Sequence, residues 1–406
     1  MSARPAPRGA IASVAHHTTG APEASLPPVP FLDLSRVHGP MADELAACWQ
    51  RALATSDFIG GPTVERFEAE WAAACDATHA VGVANGTDAL ELGLVALGIG
   101  PGDEVIAPAN TFVATIEAIV RSGARPVLVD VEPGRLLLTG DAVRGAVTPR
   151  TAAVIAVHLY GQPVDADDLR ATCAGLGLAL IEDAAQAHLA RWQGEVVGSL
   201  GAFAAFSFYP GKNLGAVGDG GALVTDDPVL AERVRVLANH GRPASGHGAH
   251  VVVGTNSRLD AVQAAVLSAK LRRLEAWNEQ RRTAAAAYRR LLTPHGIELL
   301  APEPAALAVH HLEIVRVERR DEVAARLRDR GIHTGVHYPL ACHQHEPYAA
   351  FAAGCLPVAE RDAARVLSLP MFPGITGAEI TRVADGLVAV LGELADEDPA
   401  IREVAS

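Results

Sequence analysis

Lysine is nearly absent from this chain. Of its 34 Lys and Arg residues only Lys212 and Lys270 are lysines, so arginine carries almost all the positive charge. Arginine stays protonated and cannot act as a nucleophilic amine, whereas a desolvated lysine can lose its proton and do so. Each remaining lysine therefore asks for a reason. Positive charge as a whole is outnumbered: 47 Asp and Glu leave a net charge of -13, which excludes a general attraction to nucleic acid or to an anionic membrane surface. Any anionic ligand must be held by local groups. Cysteine is sparse, and Cys48, Cys75, Cys173, Cys342 and Cys355 show neither close pairing nor the C-x-x-C spacing of zinc and redox sites, which suits reduced thiols in a cytoplasm.

Long apolar runs are missing too. No stretch of about 18 apolar residues is present to span a membrane. The beginning of the chain has Arg4 and Arg8 but no continuous apolar core after them, so it does not read as a signal peptide. The expected location is the cytoplasm. No internal repeat occurs at solenoid-like periods. His240, His247, His250, His343 and His345 lack carboxylate or Cys partners at a recognised ligand spacing, and no metal site is expected.

What is present is enough for a large core: 406 residues, 49% of them hydrophobic, predict one large and one smaller domain. Residues 1–28, rich in Pro, Ala, Ser and Thr without periodicity, read as a disordered tail. From about residue 79 to 225, short apolar runs alternate with helix-like segments, the pattern of a mainly parallel sheet covered on both faces. The runs predict strands over 79–84, 104–107, 126–130, 152–158, 178–182, 202–208 and 222–225. Apolar spacing near 3.6 predicts helices over 86–97, 112–121, 140–147 and 166–176. A long helical stretch, 257–292, leads into an alternating segment at 310–317, a helix at 321–330 and further helices, which together read as a second, α+β domain. Lys270 falls within that long helix, where the pattern predicts a solvated residue. Lys212 differs: it stands in a Gly-flanked loop just after an apolar strand.

In an open α/β sheet, ligands bind at the carboxyl ends of the strands. Three segments there carry chemistry. At Asn85-Gly86-Thr87-Asp88 a strand stops and a helix starts, so backbone N–H groups and the Thr87 hydroxyl can hold a phosphate, with Gly86 allowing close approach; the same residues also fit a plain helix cap. At 180–186 the Asp183 carboxylate ends a very apolar strand, which is costly without a cationic partner; a protonated pyridine nitrogen is one partner, and a capping role is the other reading. At 206–213 Ser207 and Lys212 put a hydroxyl near an amine. One phosphorylated pyridine aldehyde explains all three segments together.

Those residues resemble the DegT/DnrJ/EryC1/StrS sugar aminotransferases, fold-type I enzymes dependent on pyridoxal 5′-phosphate (PLP). The resemblance runs from Pro28 to about Leu391 through NGTDAL (85–90), NTFVAT (110–115), IEDAAQAH (181–188), FSFYPGKNLG (206–215) and GTNSRLD (254–260). It implies the PLP-dependent transferase fold, with a PLP-binding domain and N-terminal arm over 29–255 and a linking helix with a small α+β domain over 256–406. It further implies that Lys212 carries the cofactor as an internal imine and shuttles the proton, and that Asp183 pairs with the pyridine nitrogen. Gln186 would bond the ring's phenolic oxygen, and Phe112 would stack on the ring. Gly86, Thr87 and Ser207 would bind the phosphate, which Asn256 would reach across the interface of a homodimer. Tyr209, His337 and Tyr338 are implied as substrate contacts, though packing and turn roles suit them equally. The implied substrates are L-glutamate and a nucleotide-linked keto sugar, with the Gln186-Ala187-His188 variant most like enzymes aminating C3 of dTDP-3-keto-6-deoxyhexoses. C4 keto-sugar and cyclitol (inosose) aminotransferases share these motifs. A sugar dehydratase, which in this family has His in place of the lysine, and a non-catalytic regulator are the remaining readings. Leu189 departs from the pattern, since relatives usually have Gly there.

Overall fold

Strand sequences buried on both faces set the architecture. The computed structural model describes residues 27–243 and 248–397; the expected tail therefore lies outside the described residues except for Pro27 and Pro28, and so does His247. In chain order the strands of the first two thirds are β1 (His79–Val83), β2 (Glu104–Pro108), β3 (Arg125–Val129), β4 (Thr151–Val157), β5 (Ala179–Asp183), β6 (Arg191–Trp192), β7 (Glu195–Val196), β8 (Phe203–Ser207) and β9 (Gly221–Thr225). Seven of them form one sheet in the order β1-β9-β8-β5-β4-β2-β3. Only β9 runs against its neighbours. The sheet is therefore mainly parallel, and its parallel strands carry their ligand-facing residues to one edge.

The helices between strands start and stop where their end residues dictate. Asn85 Oδ1 accepts from the Asp88 N–H at 2.8 Å and starts the helix Gly86–Ala96. Asp165 caps Ala166–Leu176 in the same way at 3.0 Å, and Gly177, at φ +70°, ends it in the left-handed region. Sequence and structure agree on every strand of the large sheet to within a few residues. One shift matters: the fifth strand runs to Asp183, so that carboxylate is the last residue of the strand itself. The hairpin of β6 and β7, joined by β11 (Ala306–Leu307) after β10 (Glu298–Leu299), went unforeseen because two-residue strands carry no alternation to read.

A second sheet joins β10, β12 (Glu313–Arg316) and β13 (Val366–Leu369). With the helices Arg320–Asp329 and Gly377–Glu397 it surrounds an apolar cluster that includes Tyr288, Val315, Leu327, Leu367 and Leu387, and Val29 from the start of the described chain. The helix Ala261–Leu292 joins this cluster to the large sheet's core, contributing Ala264, Leu267 and Leu274 to one and Ala284, Tyr288 and Leu292 to the other.

That helix overturns one expectation. Lys270 is not solvated: it is 1% exposed, and its amine donates to the Gly215 carbonyl and lies 3.1 Å from His38 Nε2. Asn278 and Arg281, further along, are buried as well and also donate to backbone carbonyls. Helical periodicity identifies an apolar face, but it does not say that polar side chains on a wrapped helix reach loop carbonyls that would otherwise lack donors.

Candidate active site

At the carboxyl edge of the parallel strands lies a cavity of about 510 Å³. It is lined by Asn85, Gly86 and Thr87 after β1, Thr111 and Phe112 after β2, His158 after β4, Asp183 and Gln186 at and after β5, and Ser207, Tyr209 and Lys212 at and after β8. His311, His337 and Tyr338 close it from the C-terminal third of the chain. All the expected site residues therefore meet here except Asn256, which is exposed, pairs with Asn239 and lies outside the cavity of its own chain.

On one side is an anion cradle. A Cβ added at Gly86 would lie 2.8 Å from the Ser207 Cβ and 3.2 Å from its Cα, so only glycine lets the helix N-terminus close on that hydroxyl. Gly86 and Thr87 open the helix Gly86–Ala96, whose first N–H groups have no intrahelical acceptor. Asn85, not Thr87, provides the cap, which leaves the Thr87 side chain free of that task.

Facing the cradle is a buried carboxylate. Asp183 is 7% exposed; its Oδ2 accepts from the Thr115 hydroxyl at 2.7 Å and its Oδ1 from the Ala185 N–H at 3.2 Å. A carboxylate only accepts, so Thr115 donates to it and Thr111, 2.8 Å from Thr115, must donate in turn. Thr115 was not expected to take part, although it lies within the motif at 110–115.

Lys212 enters from a tight turn in which its own N–H bonds the Tyr209 carbonyl at 2.9 Å. The residue as a whole is half-buried, yet its amino end is enclosed, and that desolvation pulls its pKa from 10.5 to about 8 against the opposing pull of Asp183. Roughly a tenth of such an amine is neutral near pH 7, far more than for an ordinary lysine.

Gln186 is oriented by its neighbours: the Tyr160 N–H donates to its Oε1 at 2.6 Å, and its Nε2 donates to the Tyr338 hydroxyl at 3.1 Å. Burial holds the Tyr338 phenol above its ordinary pKa, so it remains protonated. Phe112, 52% exposed, leans on Tyr338 with ring centroids 5.5 Å apart. His337 stacks on Phe31 at 5.6 Å, and its Nδ1 meets the Ser368 hydroxyl at 2.8 Å. Burial, aided by Lys212, lowers its pKa to about 4, so it stays neutral. Leu189 lies outside the cavity lining and packs beside the aromatic core; its φ of +63° shows why glycine suits that position. It forms no part of the ligand wall. Among the described residues no group of His, Cys, Asp and Glu is arranged to hold a metal ion.

Comparison with known proteins decides the family, since the model of the DegT/DnrJ/EryC1/StrS aminotransferase family matches residues 41–388. The chain belongs to that family. The aminotransferase is 48% identical over 367 residues, 90% of this chain and 96% of the relative, to dTDP-3-amino-3,4,6-trideoxy-alpha-D-glucose transaminase of Streptomyces venezuelae. It is also 48% identical over 366 residues, 89% of this chain and 98% of the relative, to a protein of Saccharopolyspora erythraea called erythromycin biosynthesis sensory transduction protein EryC1. Among solved structures, S. venezuelae DesV in complex with a ketimine intermediate superposes with a TM-score of 0.87 at 48% identity, covering 90% of this chain and 98% of that one.

The family is PLP-dependent, and the donor set fits that cofactor. The cradle at Gly86 and Ser207 suits a phosphate, the enclosed Lys212 amine an aldehyde, and the buried Asp183 carboxylate a ring cation. His311, absent from the sequence expectations, joins them in the lining. Nothing in an alternating run singles out one histidine.

Proposed function

We propose that this aminotransferase moves an amino group from L-glutamate to a nucleotide-linked keto sugar, at C3 of a dTDP-3-keto-6-deoxyhexose, in amino-sugar biosynthesis. The observation that carries the reading is the enclosed Lys212 amine opposite Asp183 in a cavity with a phosphate cradle. The sugar and its carbon rest on the relative of S. venezuelae, whose name specifies a dTDP-3-amino sugar and which aligns along nearly its whole length. The intact lysine counts against the dehydratase reading, and the full donor set counts against a purely regulatory protein.

When bound, PLP supplies an electron sink that acidifies the carbon bearing the amino group. The chain supplies the rest. Gly86, Thr87 and Ser207 bind the phosphate, Asp183 holds the ring cation with Thr115 fixing its orientation, and Gln186 meets the phenolic oxygen. Phe112 covers one face. Lys212 Nζ anchors the cofactor, then takes a proton from the α-carbon of glutamate and, in the second half-reaction, gives one to the sugar carbon that receives nitrogen. Tyr209, His337 and Tyr338 contact the substrate.

The working form in this proposal is a cytoplasmic homodimer. Asn256, exposed and outside the lining of its own cavity, then serves the cavity of the other copy, and the exposed Val251, Val252 and Val253 close to it in sequence become covered. Free cysteines throughout the described chain fit a reducing compartment. The domain division falls at 255/256, with the apolar cluster around Tyr288, Val315 and Leu387 as the heart of the smaller unit.

A panel of dTDP- and UDP-linked keto sugars, each supplied with L-glutamate and analysed by mass and NMR, tests the reading. Amination at C3 of a dTDP sugar is the expected product. Turnover of an inosose, with none on any nucleotide sugar, would overturn the substrate assignment.

A further inference from the structure

Hydrogen bonding behind the cavity fixes which nitrogen of His311 carries the proton. The logic starts from two backbone carbonyls, which can only accept. Asn278 Nδ2 donates to the His188 carbonyl at 2.9 Å, so its Oδ1 is the atom turned to Asn213. Asn213 Nδ2 donates to that Oδ1 at 2.9 Å and to the Val309 carbonyl at 3.0 Å, which uses both of its hydrogens. Asn213 Oδ1 is thereby left to accept, and His311 Nδ1, 3.1 Å away, must be the donor. In a neutral ring the other nitrogen, Nε2, then has a lone pair and no hydrogen. It has no hydrogen-bond partner among the described residues, and His311 is one of the residues that line the cavity.

The backbone that carries the ring is also held in place, and the ring is held neutral. Arg281 Nη1 donates to the carbonyls of His310, His311 and Met371, and Gly161 packs so close that a Cβ there would meet the His311 backbone nitrogen at 2.8 Å. Burial, with Lys212, Arg281, His337 and His188 adding to it, keeps the pKa well below 6.5. A group so reluctant to take up a proton is a hydrogen-bond acceptor and not a base.

We propose that His311 Nε2 is a substrate-recognition acceptor that receives a hydroxyl hydrogen from the sugar and has no counterpart on the amino donor. The proposal rests on the keto-sugar reading above. Its physical basis is the difference between the two substrates that share the cavity: the carboxylates of glutamate offer acceptor oxygens, which a fixed lone pair repels, whereas a sugar ring offers O–H donors. His311 therefore favours the second half-reaction over the first.

Two substitutions separate the two ends of the ring. His311→Asn puts an amide nitrogen near the place of Nδ1, keeping the bond to Asn213 while removing the acceptor. His311→Gln keeps an acceptor near the place of Nε2 and gives up the bond to Asn213. Each half-reaction is followed alone on PLP-loaded enzyme by stopped-flow absorbance, first with L-glutamate and then, on the aminated form, with the dTDP keto sugar. The expected result for His311→Asn is a loss of about tenfold in kcat/KM for the sugar, the size of one hydrogen bond, with the glutamate half-reaction within about twofold of the parent. His311→Gln is expected to retain more sugar activity than His311→Asn. Equal losses in both half-reactions, or none in either, would overturn the assignment. A parent enzyme that reacts with glutamate but with no nucleotide sugar would instead refute the keto-sugar reading, which keeps the two failures distinct.

Discussion

The backbone of Gly86 approaches Ser207 so closely that a Cβ on the glycine would stand 2.8 Å from the serine Cβ. Two segments more than a hundred residues apart in sequence thus meet at the mouth of a helix, where N–H groups and a hydroxyl converge. Gly86→Ala is expected to force them apart and weaken PLP binding by at least about tenfold. Ser207→Ala removes one bond to a charged group, about 1.5–3 kcal/mol, or roughly ten- to a hundredfold in Kd. Equilibrium titration by absorbance checks both. A Gly86→Ala protein that binds the cofactor as tightly as the parent contradicts the cradle.

In the proposed mechanism Asp183 acts through its charge and Thr115 through the orientation it imposes by its hydrogen bond. Asp183→Asn keeps size and much of the hydrogen bonding but loses the negative charge, so kcat is expected to fall about a hundredfold or more, the range for removing one electrostatic stabiliser from an active site. Thr115→Val leaves the charge, and a much smaller loss is expected. Steady-state kinetics on the two variants decide the matter. Similar losses for both would mean that the carboxylate matters for packing, not for its charge.

Lys270 holds the carbonyl of Gly215, three residues beyond Lys212, from the buried side of the loop. Lys270→Met fills similar space but leaves that carbonyl without its donor, an expected cost of about 1–3 kcal/mol. Burial also lowers the Lys270 pKa from 10.5 to about 8. A folded-state pKa below the unfolded one means that the unfolded chain binds more protons between those values, so this residue makes stability rise as pH goes from about 8 to 10.5. Lys212 shifts in the same direction in the cofactor-free protein. Denaturant midpoints across that window should climb, less steeply in Lys270→Met; an unchanged slope in the variant would contradict the assignment.

Acid acts through the buried histidines. His188 is packed among Trp71, Phe206 and Phe208, and among the described residues neither of its ring nitrogens has a hydrogen-bond partner of good geometry, the Ser207 backbone offering only a weak one. Burial foremost, then Lys212, depresses its pKa from 6.5 to about 3, with only partial opposition from the Ser207 backbone. The unfolded chain takes up that proton first, so the stability present above pH 6.5 is lost progressively as pH falls toward about 3. His188→Phe should flatten the acid limb of the stability profile, measured by urea unfolding in stepped buffers. An unaltered acid limb would show that other groups control it.

The large sheet was legible because its strands are apolar on both faces and their helices alternate with them, and the site was legible because Asn85–Thr87, Asp183 and Ser207–Lys212 all lie at or just after the ends of strands. Pairwise relations were not. No sequence pattern tells that Thr115 orients Asp183, that His311 shares a network with Asn213, or that Lys270 turns inward to a carbonyl, because each depends on which loop the fold brings opposite. Leu189 stood out only as a departure from relatives; its left-handed backbone gives that departure a conformational reason. Asn256, expected at the phosphate, lies outside the cavity lining of its own chain, and the homodimer proposed above is what would bring it to one.

Because only Lys212 and Lys270 are lysines, the attachment of the cofactor reduces to a choice between two side chains. Reductive trapping of PLP on the loaded protein with borohydride, followed by peptide mass mapping, measures that choice. The account predicts one phosphopyridoxyl group on the peptide containing Lys212, none on that containing Lys270, and no label in Lys212→Ala. A label on Lys270, or an unlabelled Lys212 in protein that has bound PLP, would contradict it.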